Sequence, residues 1–373
     1  MTRALLPATH QRIVLKIGSS LLVETDGTVR REWLATLAAD IADRRKSGQQ
    51  IIIVSSGAIA LGSRQLHLPK RGRATLEDAQ AAAAVGQITL AQGWGDALAA
   101  HDIIAAQILL TLGDLEDRRR YLNAAATLDR LLALGAIPVV NENDTVATEE
   151  IRFGDNDRLA ARVAQAAGAG GLILFSDVDG LYNADPANSP DAKRFETVDV
   201  LTDAHRAMAT SNSASGIGAG GMATKLVAAD IAAQAGADMV IVSGKHLHPL
   251  ARLEQDNCGT LFVAGAGHDP RKAWMAGRLT VSGTLTIDAG AASALQSGAS
   301  LLPVGVRKVD GQFERGDIVA IIGPDGRTVA RGLAEYCAPD ATKIIGLGRD
   351  AVADALGYAP RSAMVHRDHM AML

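Results

Sequence analysis

The stretch Gly216-Ile-Gly-Ala-Gly-Gly-Met-Ala-Thr-Lys225 places four glycines in six residues and a lysine four residues after the last. Glycine lets backbone N–H groups approach an anion closely and lysine adds a positive charge, so the pattern is typical of phosphate handling. An apolar helical segment over 226–235, a glycine at 236 and a buried strand over 238–243 follow. The stretch therefore predicts a glycine turn, a helix and a strand of an α/β fold, with an anion at the helix N-terminus.

Two familiar motifs share these glycines, and the surrounding sequence excludes both. The spacing Gly216-x-Gly218-x-x-Gly221 matches the dinucleotide fingerprint, but that turn must follow a strand, and the polar segment 210–215 precedes it here. A Walker A loop needs its lysine directly after a glycine and a Ser or Thr after the lysine, and Lys225 has neither neighbour. A surface loop is the remaining alternative, which the predicted helix and strand disfavour.

Length and composition narrow the class of protein. The 373 residues suit two or three domains, and 48% hydrophobic residues are ample for a core. A formal net charge of −4 disfavours a general nucleic-acid binder. Cys258 and Cys337 form neither a disulfide framework nor a CxxC metal site, which favours the reducing cytosol. Because the sequence has no signal-peptide core and no apolar run of 18 residues, we expect a cytoplasmic protein without membrane contact.

Short apolar runs alternate with helix-length segments over the first two-thirds of the chain. Strands are predicted at 13–17, 51–54, 103–110, 136–140, 172–175 and 239–242. Helices are predicted between them at 31–46, 77–100, 121–134 and 157–167. Continuous apolar strands separated by helices indicate an α/β fold with a mostly parallel sheet covered on both faces. Ligands of such sheets bind at the carboxyl ends of the strands.

The pattern changes to short strands and turns in the last third of the chain. Strands are predicted at 279–282, 284–288, 305–309, 317–322 and 328–331, with one short helix at 289–296. Asp325-Gly326 predicts a tight turn between the last two strands. These signals indicate a small β-barrel-like domain over 277–373, joined by a linker over 265–276 to a catalytic domain over 1–264.

Lysine and small polar residues stand at the predicted carboxyl ends of the first two strands. Lys16 lies inside an apolar strand, where burial is unfavourable unless the charge is paired. We interpret it as pointing at a phosphate, the alternative being a lysine that reaches solvent from the sheet edge. Ser55-Ser-Gly57 ends the second strand, and the N–H groups of such a turn suit a carboxylate or a phosphate.

Two acidic, amide-rich loops follow the fourth strand. Asn141-Glu-Asn-Asp144 and Gly154-Asp-Asn-Asp157 together supply four acids. They suit a cationic ammonium group, a Mg²⁺ ion or the orientation of the lysines. Asp155 as a helix cap is the plainer alternative for the second loop. We interpret His246-x-His248 and His366-x-x-His369 as loop and tail histidines that lack nearby carboxylate or cysteine partners, so we predict no histidine metal site.

These segments resemble the amino-acid kinase superfamily and, within it, the glutamate 5-kinases. The resemblance is carried by Lys16-Ile-Gly-Ser-Ser, Ser55-Ser-Gly-Ala-Ile-Ala, Asn141-Glu-Asn-Asp-Thr-Val-Ala-Thr, Phe153-Gly-Asp-Asn-Asp, Ser176-Asp-Val-Asp-Gly-Leu-Tyr and Gly218-Ala-Gly-Gly-Met-Ala-Thr-Lys. The last third resembles a PUA domain through Asp288-Ala-Gly-Ala-Ala-Ser-Ala-Leu, Ser300-Leu-Leu-Pro-Val-Gly-Val and Phe313-Glu-Arg-Gly-Asp-Ile-Val. The resemblance covers nearly the whole chain and implies an αβα sandwich followed by a PUA domain.

The family resemblance also implies an activity and a set of site residues. The implied activity is phosphorylation of the γ-carboxylate of L-glutamate with ATP and Mg²⁺, which is the first step of proline biosynthesis. The resemblance also implies feedback inhibition by proline and a homo-oligomer, either a dimer or a tetramer. Lys16, Lys225 and Asp157 are the implied catalytic residues, with Asp157 orienting the lysines. The implied glutamate-binding residues are Ser56, Gly57, Asp144 and Asn156. The implied nucleotide-binding residues are Lys16, Ser176, Asp177, Ala219, Gly220, Gly221, Met222, Ala223, Thr224 and Lys225. Ser176 and Ala219 stand where threonine is common, and no residue is assigned to a metal.

The implied chemistry agrees with the residues. A glutamate side-chain carboxylate, with an ordinary pKa of about 4.3, is ionised at neutral pH and needs no general base. The acids near Asp144 suit a free α-ammonium group, which disfavours an N-acetylated substrate. Two alternatives stay open: another acylphosphate-forming amino-acid kinase, such as an aspartokinase, and an RNA-binding PUA protein with an inactive kinase domain.

Overall fold

The computed structural model divides into two compact units, Met1–Ala266 and Gly267–Leu373. It describes residues 5, 8–146, 155–186, 188–211, 221–256, 258–264, 281–358, 361 and 363–372. The predicted linker over 265–276 lies outside the described residues. No helix in these ranges has the length and apolar character needed to cross a membrane.

Among the described residues, the first unit contains an eight-stranded sheet. Its strands are β1 (Arg12–Ile17), β2 (Gln50–Ser55), β3 (Ala105–Leu110), β4 (Ile137–Glu142), β5 (Gly171–Ser176), β6 (Thr197–Val198), β7 (Asp238–Ser243) and β8 (Thr260–Phe262). Their order in the sheet is β3-β4-β2-β1-β5-β7-β8-β6. Pairing is parallel throughout except between β7 and β8, which are antiparallel.

The six predicted strands are confirmed, each within two residues of its expected ends, and two short strands at or next to one edge of the sheet were missed. The missed strands are Thr197–Val198 and Thr260–Phe262. Both are too short to produce a periodic pattern, and their pairing depends on contacts with each other and with β7. Five of the six predicted strands are buried on both faces, which makes their sequences largely apolar, whereas the edge strand β3 is only partly buried and was predicted from its apolar composition.

Helices cover both faces of this sheet. They are α1 (Ser19–Leu22), α2 (Arg31–Lys46), α3 (Ala58–Gln65), α4 (Leu76–Ala99), α5 (Leu112–Glu116), α6 (Arg118–Ala133), α7 (Asp155–Ala167), α8 (Asp203–Ser211), α9 (Gly221–Gln234) and α10 (Pro249–Asp256). Successive strand residues alternate between two separate cores. Val14 packs with α6, α7 and α9 on one face, while Ile13 and Leu15 pack with α2, α4 and α10 on the other. The αβα sandwich is confirmed.

Alternation along β1 decides where its lysine points. Lys16 is two residues from Val14 and therefore faces the layer that contains α7 and α9. Those two helices contact each other directly, and α7 also contacts β1. An aspartate at the start of α7 and a lysine in the first turns of α9 are thus brought to the same face as Lys16.

The second unit contains a five-stranded sheet within 281–372. Its strands are β9 (Gly283–Ile287), β10 (Val306–Gly311), β11 (Ile318–Ile322), β12 (Thr328–Leu333) and β13 (Met370–Met372), in the order β10-β9-β11-β12-β13. Its helices are α11 (Ala289–Gln296), α12 (Ala338–Lys343) and α13 (Arg349–Leu356). Leu285, Val319 and Val365 belong to its own hydrophobic core. This core is separate from those of the first unit, so the prediction of a separate strand-rich domain is confirmed.

Sequence prediction was less complete in this second unit. The part of the predicted strand 279–282 that is described, residues 281–282, is not in a strand. Helices α12 and α13 and the terminal strand β13 were missed. β13 pairs antiparallel with β12 through only three residues. It is a strand because of this contact with β12, and its own short sequence has no strand pattern. The predicted turn at Asp325-Gly326 is present, with Gly326 at a φ of 78°.

Candidate active site

The order of the strands determines where a ligand can bind. From β1 the chain passes to β2 on one side of the sheet, whereas from β5 it passes to β6 and then β7 on the other. The loops that follow β1 and β5 consequently diverge and leave a crevice at the carboxyl ends of these two central strands. Lys16 stands next to last in β1 and Ser176 is the last residue of β5, so both lie at this crevice.

A single buried aspartate joins two lysines at the crevice. Asp157 Oδ1 lies 2.7 Å from Lys16 Nζ, and Asp157 Oδ2 lies 3.0 Å from Lys225 Nζ. The aspartate side chain is 1% exposed, and the lysine side chains are 8% and 10% exposed. These three residues come from β1, α7 and α9, so their meeting depends on the packing of the helical layer. The cluster carries a net charge of +1 and keeps both ammonium groups in fixed places.

Burial and neighbouring charges shift the pKa values of Lys16 and Asp157. Burial lowers the pKa of the Lys16 ammonium below its usual value; Asp157 opposes that shift and Lys225 adds to it. Burial would raise the pKa of Asp157, but the two lysines together outweigh it and hold the pKa below its usual range. Asp157 is therefore an ionised counter-charge that positions two cations, and it is unsuited to act as a general base.

The first turn of α9 contributes further polar groups. Lys225 Nζ donates to the backbone oxygen of Gly221 at 3.2 Å, and Thr224 Oγ1 donates to Asp157 Oδ2 at 3.3 Å. A Cβ built on Gly221 would meet no described residue within 4 Å, so the described part of the chain leaves room at this helix end. Ala219 and Gly220, which sequence analysis assigns to the nucleotide, lie outside the described residues. The N-terminus of α9 beside two lysines suits a polyphosphate.

The end of β5 supplies a second polar turn beside Lys16. Ser176 is buried and donates from Oγ to Asp177 Oδ1 at 3.0 Å. Its backbone oxygen accepts from Gly244 N at 2.9 Å, which joins the ends of β5 and β7. The charge of Asp177 also opposes the lowering of the Lys16 pKa. Ser176 and Asp177 therefore belong to the same site as the lysines, on the side of β1 that leads to β7.

The residues predicted to bind glutamate lie on the other side of β1. Asn156 Nδ2 donates to Ser56 Oγ at 2.9 Å and lies 3.4 Å from Asn141 Oδ1. Gly57 has a φ of 110°, a conformation that favours glycine, and is the N-cap residue of α3. Asp144 is buried in a short 3₁₀ turn that follows β4. The loop over 147–154 lies outside the described residues. The described groups combine hydroxyl, amide and carboxylate oxygens, which suit an ammonium group.

Sequence analysis missed two residues that support this side of the site. Gln87 Oε1 accepts from Asn141 Nδ2 at 2.6 Å, and Trp94 Nε1 donates to Ser55 Oγ at 2.9 Å. Both belong to α4, which is remote in sequence from the loops that they hold. A glutamine and a tryptophan in an alanine-rich helix match no motif, so only the packing of α4 reveals their role.

The histidine pairs have carboxylate partners that the sequence did not indicate. His248 Nδ1 lies 2.8 Å from Asp40 Oδ1, and His369 Nδ1 lies 3.2 Å from Glu335 Oε1. The expectation that they lack carboxylate neighbours was therefore wrong, because both partners are far away in the sequence. Asp40 also accepts from the backbone N–H groups of Leu250 and Ala251 and so caps α10. Over the described ranges, no group of three His, Cys, Asp or Glu side chains could hold a metal ion.

Comparison with known proteins agrees with this architecture. Residues 11–243 match the amino acid kinase family, and residues 283–353 match the PUA domain. The glutamate 5-kinase of Sphingopyxis alaskensis is 62% identical over 98% of this chain and 99% of its own length. The glutamate 5-kinase of Zymomonas mobilis subsp. mobilis is 56% identical over 98% of this chain and 92% of its own length. With identity this high across both domains, the chain belongs to the glutamate 5-kinase family.

Proposed function

We propose that the chain transfers the γ-phosphoryl group of ATP to the γ-carboxylate of L-glutamate and forms γ-glutamyl phosphate. The observation that carries the proposal is the pair of buried lysines held on one ionised aspartate at the sheet's central crevice. Both reactants are anions, and negative charge develops as the phosphoryl group moves from ATP to the carboxylate. Catalysis therefore requires fixed positive charge.

In this proposal each lysine neutralises phosphoryl oxygens. Lys16 approaches from the end of β1 and Lys225 from the first turns of α9, while Asp157 holds both ammonium groups in position. Ser176, Asp177 and the segment 219–225 bind the nucleotide. The attacking carboxylate is already ionised at neutral pH, so no residue has to remove a proton. Positioning and charge neutralisation then account for the catalysis.

The glutamate is proposed to bind on the β2 and β4 side of β1. The N–H groups of the turn at Ser56 and Gly57 suit its α-carboxylate, and Asp144 and Asn156 suit its α-ammonium group. Support comes from the contact of Asn156 with Ser56 and from the burial of Asp144. This arrangement directs the side chain of the substrate towards Lys16, where the two halves of the site meet.

Mg²⁺ is proposed to enter together with ATP. It prefers carboxylates and substrate phosphates as ligands, and it usually keeps several waters. Asp177 is the described carboxylate best suited to such an ion. It lies on the nucleotide side of the crevice, close enough for its charge to act on the pKa of Lys16. When bound, the ion would neutralise phosphate charge alongside the lysines.

Trapping the product with hydroxylamine tests the proposed reaction. With ATP and Mg²⁺, glutamate is expected to give a hydroxamate, because hydroxylamine captures an acyl phosphate. Aspartate and N-acetylglutamate are expected to give little, since the first is too short and the second lacks the ammonium group. Absence of hydroxamate from glutamate, or a larger yield from N-acetylglutamate, would overturn the proposal.

Proline is proposed as an inhibitor that competes for the glutamate site. It has the same α-carboxylate and a cationic nitrogen, the two groups that the β2 and β4 side suits. In the hydroxamate assay, added proline is expected to raise the KM for glutamate and to leave the KM for ATP unchanged. A rise in the KM for ATP alone would place proline elsewhere.

The assembly and the PUA domain allow further proposals. We expect a homo-oligomer, because Ile104, just before the edge strand β3, is 70% exposed, Leu109 within that strand is 37% exposed, and Ile88 on α4 is 72% exposed. Exposed apolar side chains at a sheet edge favour contact with another copy.

Residues 271–373 carry 12 Lys/Arg and 10 Asp/Glu, a difference of +2, which attracts RNA phosphates only weakly. The PUA domain is therefore proposed to serve regulation or assembly, with RNA contact as the weaker alternative.

Alkaline inactivation is expected to begin below the pH at which an ordinary lysine titrates. Lys16 must be protonated to neutralise phosphate. In the free enzyme, burial lowers the pKa of Lys16 below the ordinary lysine value of 10.5. The value of kcat/KM for ATP should therefore be full below this lowered pKa and fall as the pH rises through it. In Lys16→Arg the guanidinium stays charged, so the alkaline decline should move to higher pH. A decline at the same pH in this variant would assign it to another group.

A further inference from the structure

A partly buried chain of hydrogen-bonded amide and hydroxyl side chains links α4 to the glutamate side of the site. Gln87 Oε1 accepts a hydrogen bond from Asn141 Nδ2 at 2.6 Å. Asn141 Oδ1 lies 3.4 Å from Asn156 Nδ2, which also donates to Ser56 Oγ at 2.9 Å. Asn141 is 3% exposed, so water has little access to the middle of this chain. The four side chains therefore form one connected network with Gln87 at its outer end.

Close packing of two helices brings Gln87 into this network. The preceding residue, Gly86, lies so near the first turn of α3 that an added Cβ would overlap the backbone oxygen of Ala58. That turn directly follows Ser56 and Gly57. The 3₁₀ turn that holds Asp144 also contacts α4. The position of Gln87 is thus determined by the same elements that form the proposed glutamate site.

The direction of the hydrogen bonds follows from the acceptor at Gln87. Because Gln87 Oε1 accepts, the amide nitrogen of Asn141 is used and its oxygen is left to accept from Asn156. The nitrogen of Asn156 has two N–H groups, and these are directed at Asn141 and Ser56. Asn156 Oδ1 then remains as a buried acceptor with no hydrogen-bond partner among the described residues.

A buried acceptor without a donor is unfavourable, so a ligand that supplies a donor is favoured there. An ammonium group has only donors and meets this need. If the chain of bonds ran the other way, with Gln87 donating, Asn156 would present N–H groups and oppose a cation. The residue at position 87 therefore controls whether this part of the site accepts or donates.

We infer that Gln87 is a positioning residue that holds Asn156 Oδ1 free to accept from the α-ammonium group of the substrate. The inference rests on the proposed function, in which Asn156 binds glutamate. Gln87 itself touches Asn141 and acts through it. We therefore expect a change at Gln87 to weaken recognition of the ammonium group, without an effect on ATP binding or phosphoryl transfer.

Three variants test the inference. Gln87→Met removes the acceptor at nearly constant size, Gln87→Glu keeps an acceptor that cannot donate, and Gln92→Met is the control at an exposed position of the same helix. Gln87→Met is expected to raise the KM for glutamate about 10-fold, with kcat within about 3-fold and the KM for ATP unchanged. Gln87→Glu should stay within about 3-fold of the wild type in all three, as should the control.

Glutarate, which has both carboxylates but no ammonium group, separates positioning from a general structural role. Gln87→Met is expected to lower kcat/KM for glutamate about 10-fold and that for glutarate less than about 2-fold. An equal loss with both substrates, or no loss with glutamate, would overturn the inference. Failure of the proposed function would look different, since the wild type itself would then give no hydroxamate from glutamate.

Discussion

Lys225→Ala is expected to lower kcat by about 10²–10³-fold while the protein stays folded. The ammonium group is proposed to neutralise charge that develops as the phosphoryl group moves, so its loss affects the transition state more than substrate binding. Asp157 keeps Lys16 as its partner at 2.7 Å, so no buried charge is left without a counter-charge. Steady-state kinetics by the hydroxamate assay and a thermal unfolding curve together check both halves of this expectation.

The matched control is Lys46→Ala. Lys46 is an exposed lysine at the end of α2, shortly before the amino end of β2, and it pairs only with the exposed Asp43 among the described residues. Exposed pairs contribute about 0–1 kcal/mol, so kcat and the unfolding temperature should both change little. Turnover of Lys225→Ala within about 3-fold of this control would remove Lys225 from the proposed mechanism.

Asp157→Asn is expected to destabilise the folded protein by about 3–5 kcal/mol. The substitution preserves the size of the side chain but leaves two buried lysines without their shared counter-charge. Removing one member of a buried ion pair is unfavourable because the remaining charge has neither water nor a partner. Turnover should fall as well, since the lysines lose their fixed positions. Urea unfolding followed by circular dichroism measures the change in free energy.

Two comparisons separate this effect from the loss of an ordinary aspartate. Asp230 on α9 accepts from Arg206 Nη2 at 2.9 and 2.7 Å, but the pair lies at the surface. Asp230→Asn should therefore cost about 0–1 kcal/mol. A non-hydrolysable ATP analogue should stabilise Asp157→Asn more than the wild type, because its phosphates replace the missing negative charge. Stability of Asp157→Asn within about 1 kcal/mol of the wild type would mean that the lysines do not both carry a buried charge.

Much of the fold could be predicted because its signals are local. Runs such as Ile51–Val54 and Met239–Val242 are continuous in apolar residues, since both faces of a central parallel strand are buried. The missed elements have no such signal. Thr260–Phe262 and Met370–Met372 are three-residue strands at or near sheet edges, and what makes them strands is the neighbour with which each one pairs.

By itself, the sequence determined the αβα class, the strand-rich second domain and the residue types of the candidate site, because burial and glycine content leave local patterns. Only the tertiary structure decided which of these residues meet. Lys16, Asp157 and Lys225 come from three elements up to 209 positions apart, and packing joins them within 3.0 Å. The same holds for Gln87, which is 54 positions from Asn141. Contacts between distant segments depend on how the helices pack on the sheet, and no local pattern records that packing.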